Sequence, residues 1–384
     1  MQREFGGYLP LELPHGQELY TGAGVLRLNC GRNAIVAALR DAGAKKVYLP
    51  YYNCNTVYDA VTRAGFAVER YPLDARRLPV CPALGDGEWL LYVNYFGIAS
   101  DDLLAEVKRR WPRVIFDNTQ AFFSAPRMDA DSYNVYSCRK FVGVPDGAYL
   151  VHTGLTDGIY PEDTSWQHAA FLFRCIDESV NSAYGDSLDN ESRFDGEIRG
   201  MSPSTRRILA SVEYDALRLR RRANYEALHA ALAPHNALDC PAGADAMIYP
   251  FLCRVDGLRG RLIKNKVYVS QWWKYLLELL PADSVEADYS RYLLPLPIDQ
   301  RYTPDDMRAL AALVLQLKEE GNPHDTAAQG QCADLVLQSG PLCGPDDGKR
   351  AGAENRFPRG NPLRGRRLRR RNDRKAARLG GSAP

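Results

Sequence analysis

From about residue 24 onward, short apolar runs alternate with amphipathic stretches. Residues 25–28 read as a strand, a stretch opened by Gly31 and running to Leu39 as a helix, and Val47-Tyr48-Leu49-Pro50 as a second strand. The rhythm continues with a helix over about 54–64, strands over 66–71 and 89–93, a helix over about 101–111 and the strand Val114-Ile115-Phe116-Asp117. Strands separated by helices of about ten residues predict an α/β fold with a mainly parallel sheet covered on both faces. Ala148-Tyr149-Leu150-Val151-His152, reached through a tight turn ending at Gly147, extends the same sheet.

Beyond residue 160 the pattern changes. Residues 160–200 are polar and rich in aromatics and carry no readable motif; acceptor specificity is expected in the loops around 155–200. One long helix is predicted over 204–232, and its arginines around 218–222 read as a solvated face. After Pro241 come a strand (247–255), a helix (257–264), two strands (266–269 and 293–296) and a helix (304–319), the make-up of a smaller α+β domain. The expected division is a large domain over 1–240, a small C-terminal α+β domain over 241–320, and a disordered tail over 321–384, where Gly, Pro, Arg and Asp replace apolar periodicity.

Composition narrows the function classes. The 384-residue chain is 45% hydrophobic, enough to fill a core. No run of eighteen apolar residues and no secretory leader is apparent, so a cytoplasmic enzyme is expected. The nine cysteines are scattered without the short paired spacing of a zinc site, which points to free thiols and no metal. Residues 321–384 hold 13 lysines and arginines against 6 acidic residues, so any nucleic-acid contact is confined to that tail, which reads equally well as an inert extension, and no membrane partner is expected.

In a parallel sheet, ligands collect at the carboxyl ends of the strands, where Asn94, Asp117 and Ser137 stand. A charge closing an apolar strand is costly unless it meets a cation, so Asp117 is either the partner of a bound cationic ring or a structural cap of the next turn. Lys140, three residues after Ser137, sits between Val135-Tyr136 and Phe141-Val142, less exposed than a surface lysine. A lysine for an aldehyde, a carboxylate for a ring nitrogen and a hydroxyl for a phosphate together suit pyridoxal 5′-phosphate. The amine must lose its proton to attack, so its pKa of about 10.4 must fall. Leu28-Asn29-Cys30-Gly31-Arg32-Asn33 reads as strand, turn and helix start, whose free N–H groups favour a phosphate. Tyr52 offers a ring to stack on a flat heterocycle or plain packing, and Gln120 a hydrogen bond to the cofactor's phenolic oxygen.

Several ordered pieces resemble one family. Asn29-Cys30-Gly31-Arg32-Asn33-Ala34-Ile35, Leu49-Pro50-Tyr51-Tyr52, Val93-Asn94-Tyr95-Phe96-Gly97, Phe116-Asp117-Asn118-Thr119-Gln120-Ala121 and Leu294-Pro295-Leu296-Pro297-Ile298-Asp299-Gln300-Arg301-Tyr302 are similar to segments of the DegT/StrS-type aminotransferases, the nucleotide-sugar branch of fold type I pyridoxal-phosphate enzymes. The resemblance spans about residues 20–320. It implies the aspartate-aminotransferase fold, a homodimer, and transfer of an amino group from an amino acid, commonly glutamate, to a nucleotide-linked keto-sugar in polysaccharide or secondary-metabolite biosynthesis. It makes Lys140 the Schiff-base residue, Asp117 the ring-nitrogen partner, Gln120 a contact to the ring oxygen, and Gly31, Arg32 and Ser137 phosphate contacts. The chain departs from the family in placing Ser137 three rather than five residues before the lysine, and in lacking an asparagine near Ile198-Arg199-Gly200-Met201-Ser202. Two other outcomes follow from these residues: a scaffold of the same fold acting as a regulator or assembly protein, or a lyase or desulfurase using the same cofactor.

Overall fold

The structure, a computed structural model, describes residues 5–155 and 160–320; the tail expected to be disordered lies outside them. Seven strands, Val25–Leu28 (β1), Lys46–Pro50 (β2), Ala67–Tyr71 (β3), Glu88–Val93 (β4), Val114–Asp117 (β5), Ser132–Ser137 (β6) and Ala148–Val151 (β7), form one sheet in the order β1-β7-β6-β5-β4-β2-β3. Pairing is parallel from β3 through β2, β4 and β5 to β6, and antiparallel where β7 joins β6 and β1. The mainly parallel sheet is thus the one expected. Strands β5, β6 and β7 are buried along their whole length, as a sheet covered on both faces requires. Helices Gly31–Asp41 (α1), Asn55–Arg63 (α2) and Asp101–Arg110 (α3) connect its strands.

The turn after β4 brings backbone close to the end of β5. Gly97 has φ +78°, and a Cβ there would lie 2.5 Å from the Gln120 carbonyl oxygen. Phe96 beside it also has a positive φ of 63°, a strained conformation for an aromatic residue, and its N–H donates to Gln120 Oε1 at 2.7 Å. This pair fixes the height of Gln120 above the sheet.

The stretch 160–200, blank in the sequence pattern, contains helices Ala170–Asp177 (α4) and Tyr184–Ser192 (α5). The helix predicted over 204–232 is two, Pro203–Leu209 (α6) and Tyr214–Leu232 (α7), broken at Ala210-Ser211-Val212-Glu213 without Gly or Pro. Then follow Tyr249–Leu252 (β8), Leu258–Lys264 (α8), Leu276–Leu279 (α9), Val285–Tyr292 (α10), Leu293–Leu296 (β9) and Pro304–Glu319 (α11), with β8 and β9 pairing antiparallel. The strand expected over 266–269 does not form, and Lys266 instead adopts φ 62°. No helix among the described residues is long and apolar enough to cross a membrane.

Arg221 corrects the reading of α7 as solvated on its arginine side. It is buried, donates to the carbonyls of Met247 at 2.6 Å and Ala246 at 3.3 Å, and lies 4.6 Å over the Phe141 ring. Gln300 Nε2 donates to the Phe141 carbonyl at 2.9 Å, and Arg221 Nη1 donates to Gln300 Oε1. These bonds tie α7 and the end of β9 to the residue that follows Lys140. Arg218 and Arg222, by contrast, stay at the surface and pair with Asp245.

Candidate active site

The carboxyl ends of β1, β2, β5 and β6 open on one cleft, where a parallel sheet places its ligands. Gly31, Arg32, Asp117, Gln120, Ser137 and Lys140, six of the seven residues singled out by sequence, line it together. Tyr52 does not. Its ring is fully buried, edge-on to Trp273 with centroids 4.3 Å apart, and Asn53 and Trp273 face the cleft at that wall. The stacking role expected of Tyr52 is therefore not supported by its position, because the chain turns after β2 so that packing against Trp273 takes up the ring.

Thr119 organises one end of the cleft. Its N–H donates to Asp117 Oδ1 at 3.0 Å, and its hydroxyl accepts from Lys140 Nζ at 3.0 Å. Asp117 is 3% exposed. Neither Asp117 nor Lys140 forms an ion pair with any described residue. Burial pushes the Lys140 amine down to about 8; the Asp117 charge opposes that fall, and the Arg139 and Arg32 cations add to it. The amine is then largely neutral in mildly alkaline solution, which is what a nucleophile needs.

The other end is built around the start of α1. That helix begins without a side-chain cap and without an acidic residue in its first turn. Helices α2, α4 and α8 begin in the same way, whereas Ser100, Ser202, Ser284 and Thr303 cap α3, α6, α10 and α11. The open first turn of α1 leaves its N–H groups and dipole to favour an anion. Arg32 stands in that turn, and Ser137 closes β6 beside it in the cleft lining. Gly31 leaves little room: a Cβ there would lie 3.1 Å from Thr119 Cγ2. Gln120 commits Oε1 to Phe96 N–H, leaving Nε2 as its remaining hydrogen-bonding group.

Besides Thr119, sequence reasoning missed Arg139, Glu191, Asn53 and Trp273 among the lining residues. Arg139 directly precedes Lys140 with no motif of its own, and Glu191 lies in the stretch without a motif. Each oxygen of the Glu191 carboxylate is paired with a different arginine, Arg32 or Arg139. Asn53 Nδ2 and Trp273 Nε1 are buried donors without a partner among the described residues, and Trp273 carries a positive φ of 52°. Nothing local marks these residues, since the cleft brings them together from distant elements. Cys138, beside Arg139, is fully buried with its thiol pushed well up by burial, which fits a packing residue and not a nucleophile. Among the described residues, six cysteines including Cys138 hold free thiols, at 30, 81, 138, 175, 240 and 253. No group of three metal-ligating side chains occurs among the described residues.

No family model matches the chain, and no curated protein matches it. Solved structures do. The chain is similar to DesV of S. venezuelae, solved in complex with a ketimine intermediate, at 19% identity over 78% of this chain and 85% of that one, with TM-score 0.52. It is similar to the sugar aminotransferase CalS13 from Micromonospora echinospora (15% identity, 76% and 87% covered, TM-score 0.52). NtdA of Bacillus subtilis, solved with bound cofactor PMP, is a further match (13% identity, 77% and 73% covered, TM-score 0.52). At these identities the likeness shows the fold: the chain has the α/β, aspartate-aminotransferase-like architecture of these aminotransferases, as its sequence motifs implied.

Proposed function

We propose that this chain is a pyridoxal-phosphate-dependent aminotransferase that moves an amino group from an amino acid, glutamate in the first instance, to a keto-sugar carried on a nucleotide. The observation that carries the reading is the pairing of Lys140 and Asp117 in one cleft, both tied to Thr119 and neither neutralised by another side chain. The residues present fit the cofactor. Asp117 is a buried carboxylate in want of a cation, which a protonated pyridine nitrogen supplies. Lys140 is an amine with a depressed pKa. Arg32, Ser137 and the open turn at Gly31 are donors for a phosphate, and Gln120 Nε2 is a donor for the phenolic oxygen.

When bound, the cofactor withdraws electrons from the carbon that carries the transferred nitrogen. Asp117 keeps the ring nitrogen protonated, which sustains that withdrawal. Lys140 anchors the cofactor and, once released, holds and returns the proton of the substrate carbon as a general base and acid near its working pKa. Thr119 orients its amine. The unpartnered donors of Asn53 and Trp273 suit a hydroxyl-bearing acceptor, and the sugar aminotransferases of the same fold support that class. A homodimer, a cytoplasmic location, a cofactor-binding domain over 1–240 with a smaller one over 241–320, and a role in polysaccharide or secondary-metabolite biosynthesis belong to the same reading.

Borohydride reduction of protein mixed with pyridoxal phosphate, followed by peptide mass mapping, tests the assignment. A pyridoxyl mass on Lys140 is expected. Labelling spread over surface lysines, with Lys140 unmodified, would defeat the reading. Adding glutamate before the reductant should prevent the label, since a transaminase releases its lysine, whereas a non-catalytic scaffold keeps it.

A further inference from the structure

Arg32, in the first turn of α1, and Arg139, in the turn that delivers Lys140, converge on the cleft from two different strand ends. Their side chains are 7% and 8% exposed, and between them lies the Glu191 carboxylate at 4%. One carboxylate bridges the two guanidiniums, giving each a single oxygen, in a desolvated place. Arg139 registers this: its guanidinium is pushed down to about 10, chiefly by burial and also by the Arg32 and Arg193 cations. Glu191 is the penultimate residue of α5, the negative end of that helix, where a carboxylate gains nothing from the helix itself. The arginines alone hold it.

We propose that Arg139 joins Arg32 in the seat for the cofactor's phosphate, and that Glu191 is a resident counterion which the phosphate displaces. This rests on the cofactor reading above. A carboxylate offers each arginine one oxygen; a phosphate dianion offers three oxygens and twice the charge, enough for both forks and the open N–H groups of α1. Phosphate and carboxylate cannot share the seat without strong repulsion. The displacement is of the Glu191 side chain, because Asn190 Nδ2 donates to the Pro145 carbonyl at 2.7 Å and tethers α5. Loading is then an exchange of anions, and the enzyme's affinity for phosphate is set below what two arginines would give.

The full chain, its Glu191→Gln form and its Arg139→Gln form are compared for binding of pyridoxal phosphate, inorganic phosphate and pyridoxal, the last lacking the phosphate. Glu191→Gln should bind pyridoxal phosphate and inorganic phosphate about tenfold more tightly and pyridoxal unchanged, and Arg139→Gln should weaken the first two about tenfold. If Glu191→Gln weakens phosphate binding as Arg139→Gln does, Glu191 merely orients the arginines and the proposal falls. Equal changes for pyridoxal also overturn it. Should Glu191→Gln melt in phosphate-free buffer, inorganic phosphate must restore its transition, and failure to do so counts against the seat. Inorganic phosphate reports on the seat even if no variant takes up pyridoxal phosphate, a result that would sink the cofactor reading instead.

Discussion

The two ends of the cleft hold similar charges in opposite states. At the Thr119 end, Lys140 and Asp117 face the cleft without ion-pair partners among the described residues; at the α1 end, Arg32 and Arg139 are closed by Glu191. Unpaired buried charges cost stability and persist where a ligand completes them, whereas a paired set is stable as it stands. The difference teaches where recognition and where chemistry reside. The Thr119 end is destabilised in anticipation of a reacting ring; the arginine end is a binding seat with a charge of its own to exchange.

The largest way to break this comparison is Lys140→Ala. If the Thr119 end carries the chemistry, transamination should fall by about 10⁴-fold, the upper range for a positioned proton-transfer group, while inorganic phosphate binds as before. A steady-state assay beside a phosphate titration reads both. Retention of substantial turnover would move the chemistry away from Lys140. Asp117→Asn comes next: the side chain keeps its shape and its bond from the Thr119 N–H but loses the charge that holds the ring nitrogen protonated. Covalent capture by Lys140 should persist while turnover drops by about 10²–10³-fold, as when one preorganised electrostatic partner is removed.

The third prediction concerns stability without ligand. Because the Lys140 pKa is lowered from 10.5 to about 8 on folding, the unfolded chain binds its proton first as pH falls. The resulting penalty is absent above about pH 10.5, grows between 10.5 and 8, and is complete below 8. Lys140→Met, which removes the charge and keeps the volume, should therefore stabilise the ligand-free protein by up to about 3 kcal/mol at pH 7, with no gain at pH 11. Denaturant melts at the two pH values measure it. A destabilised variant at pH 7 would mean that the amine is held more comfortably than its surroundings imply.

How much of this was legible in sequence follows the same division. The strands Glu88–Val93 and Val114–Asp117 announce themselves as unbroken apolar runs ended by polar residues, and the parallel-sheet rule then points to Asp117, Ser137 and Lys140. Those residues lie next to the elements that position them. Glu191 meets Arg32 across 159 positions, from a helix whose own sequence carries no strong apolar stripe, so no local pattern foretells it. The break between α6 and α7 escaped for a related reason: Tyr214 Oη donates to the Leu209 carbonyl at 2.8 Å across a turn without helix breakers. Arg221 was misread because tertiary carbonyls, not helical period, decide where an arginine is buried.

The smallest expected effect sharpens the comparison most finely. Thr119 contacts both groups, through its backbone N–H to Asp117 and its side-chain hydroxyl to Lys140. Thr119→Val keeps the volume against Gly31 and the backbone bond to Asp117 but removes the hydroxyl acceptor. That acceptor stabilises the protonated amine more than the neutral one, so its loss should lower the Lys140 pKa further. A hydrogen bond worth about 1 kcal/mol corresponds to somewhat less than one pH unit. The acid limb of covalent capture, expected near pH 8 in the wild-type chain, should move to lower pH by that amount, with phosphate binding untouched. An acid limb that stays in place would show that Thr119 only positions the backbone, and that burial and the neighbouring arginines alone set the reactivity of Lys140.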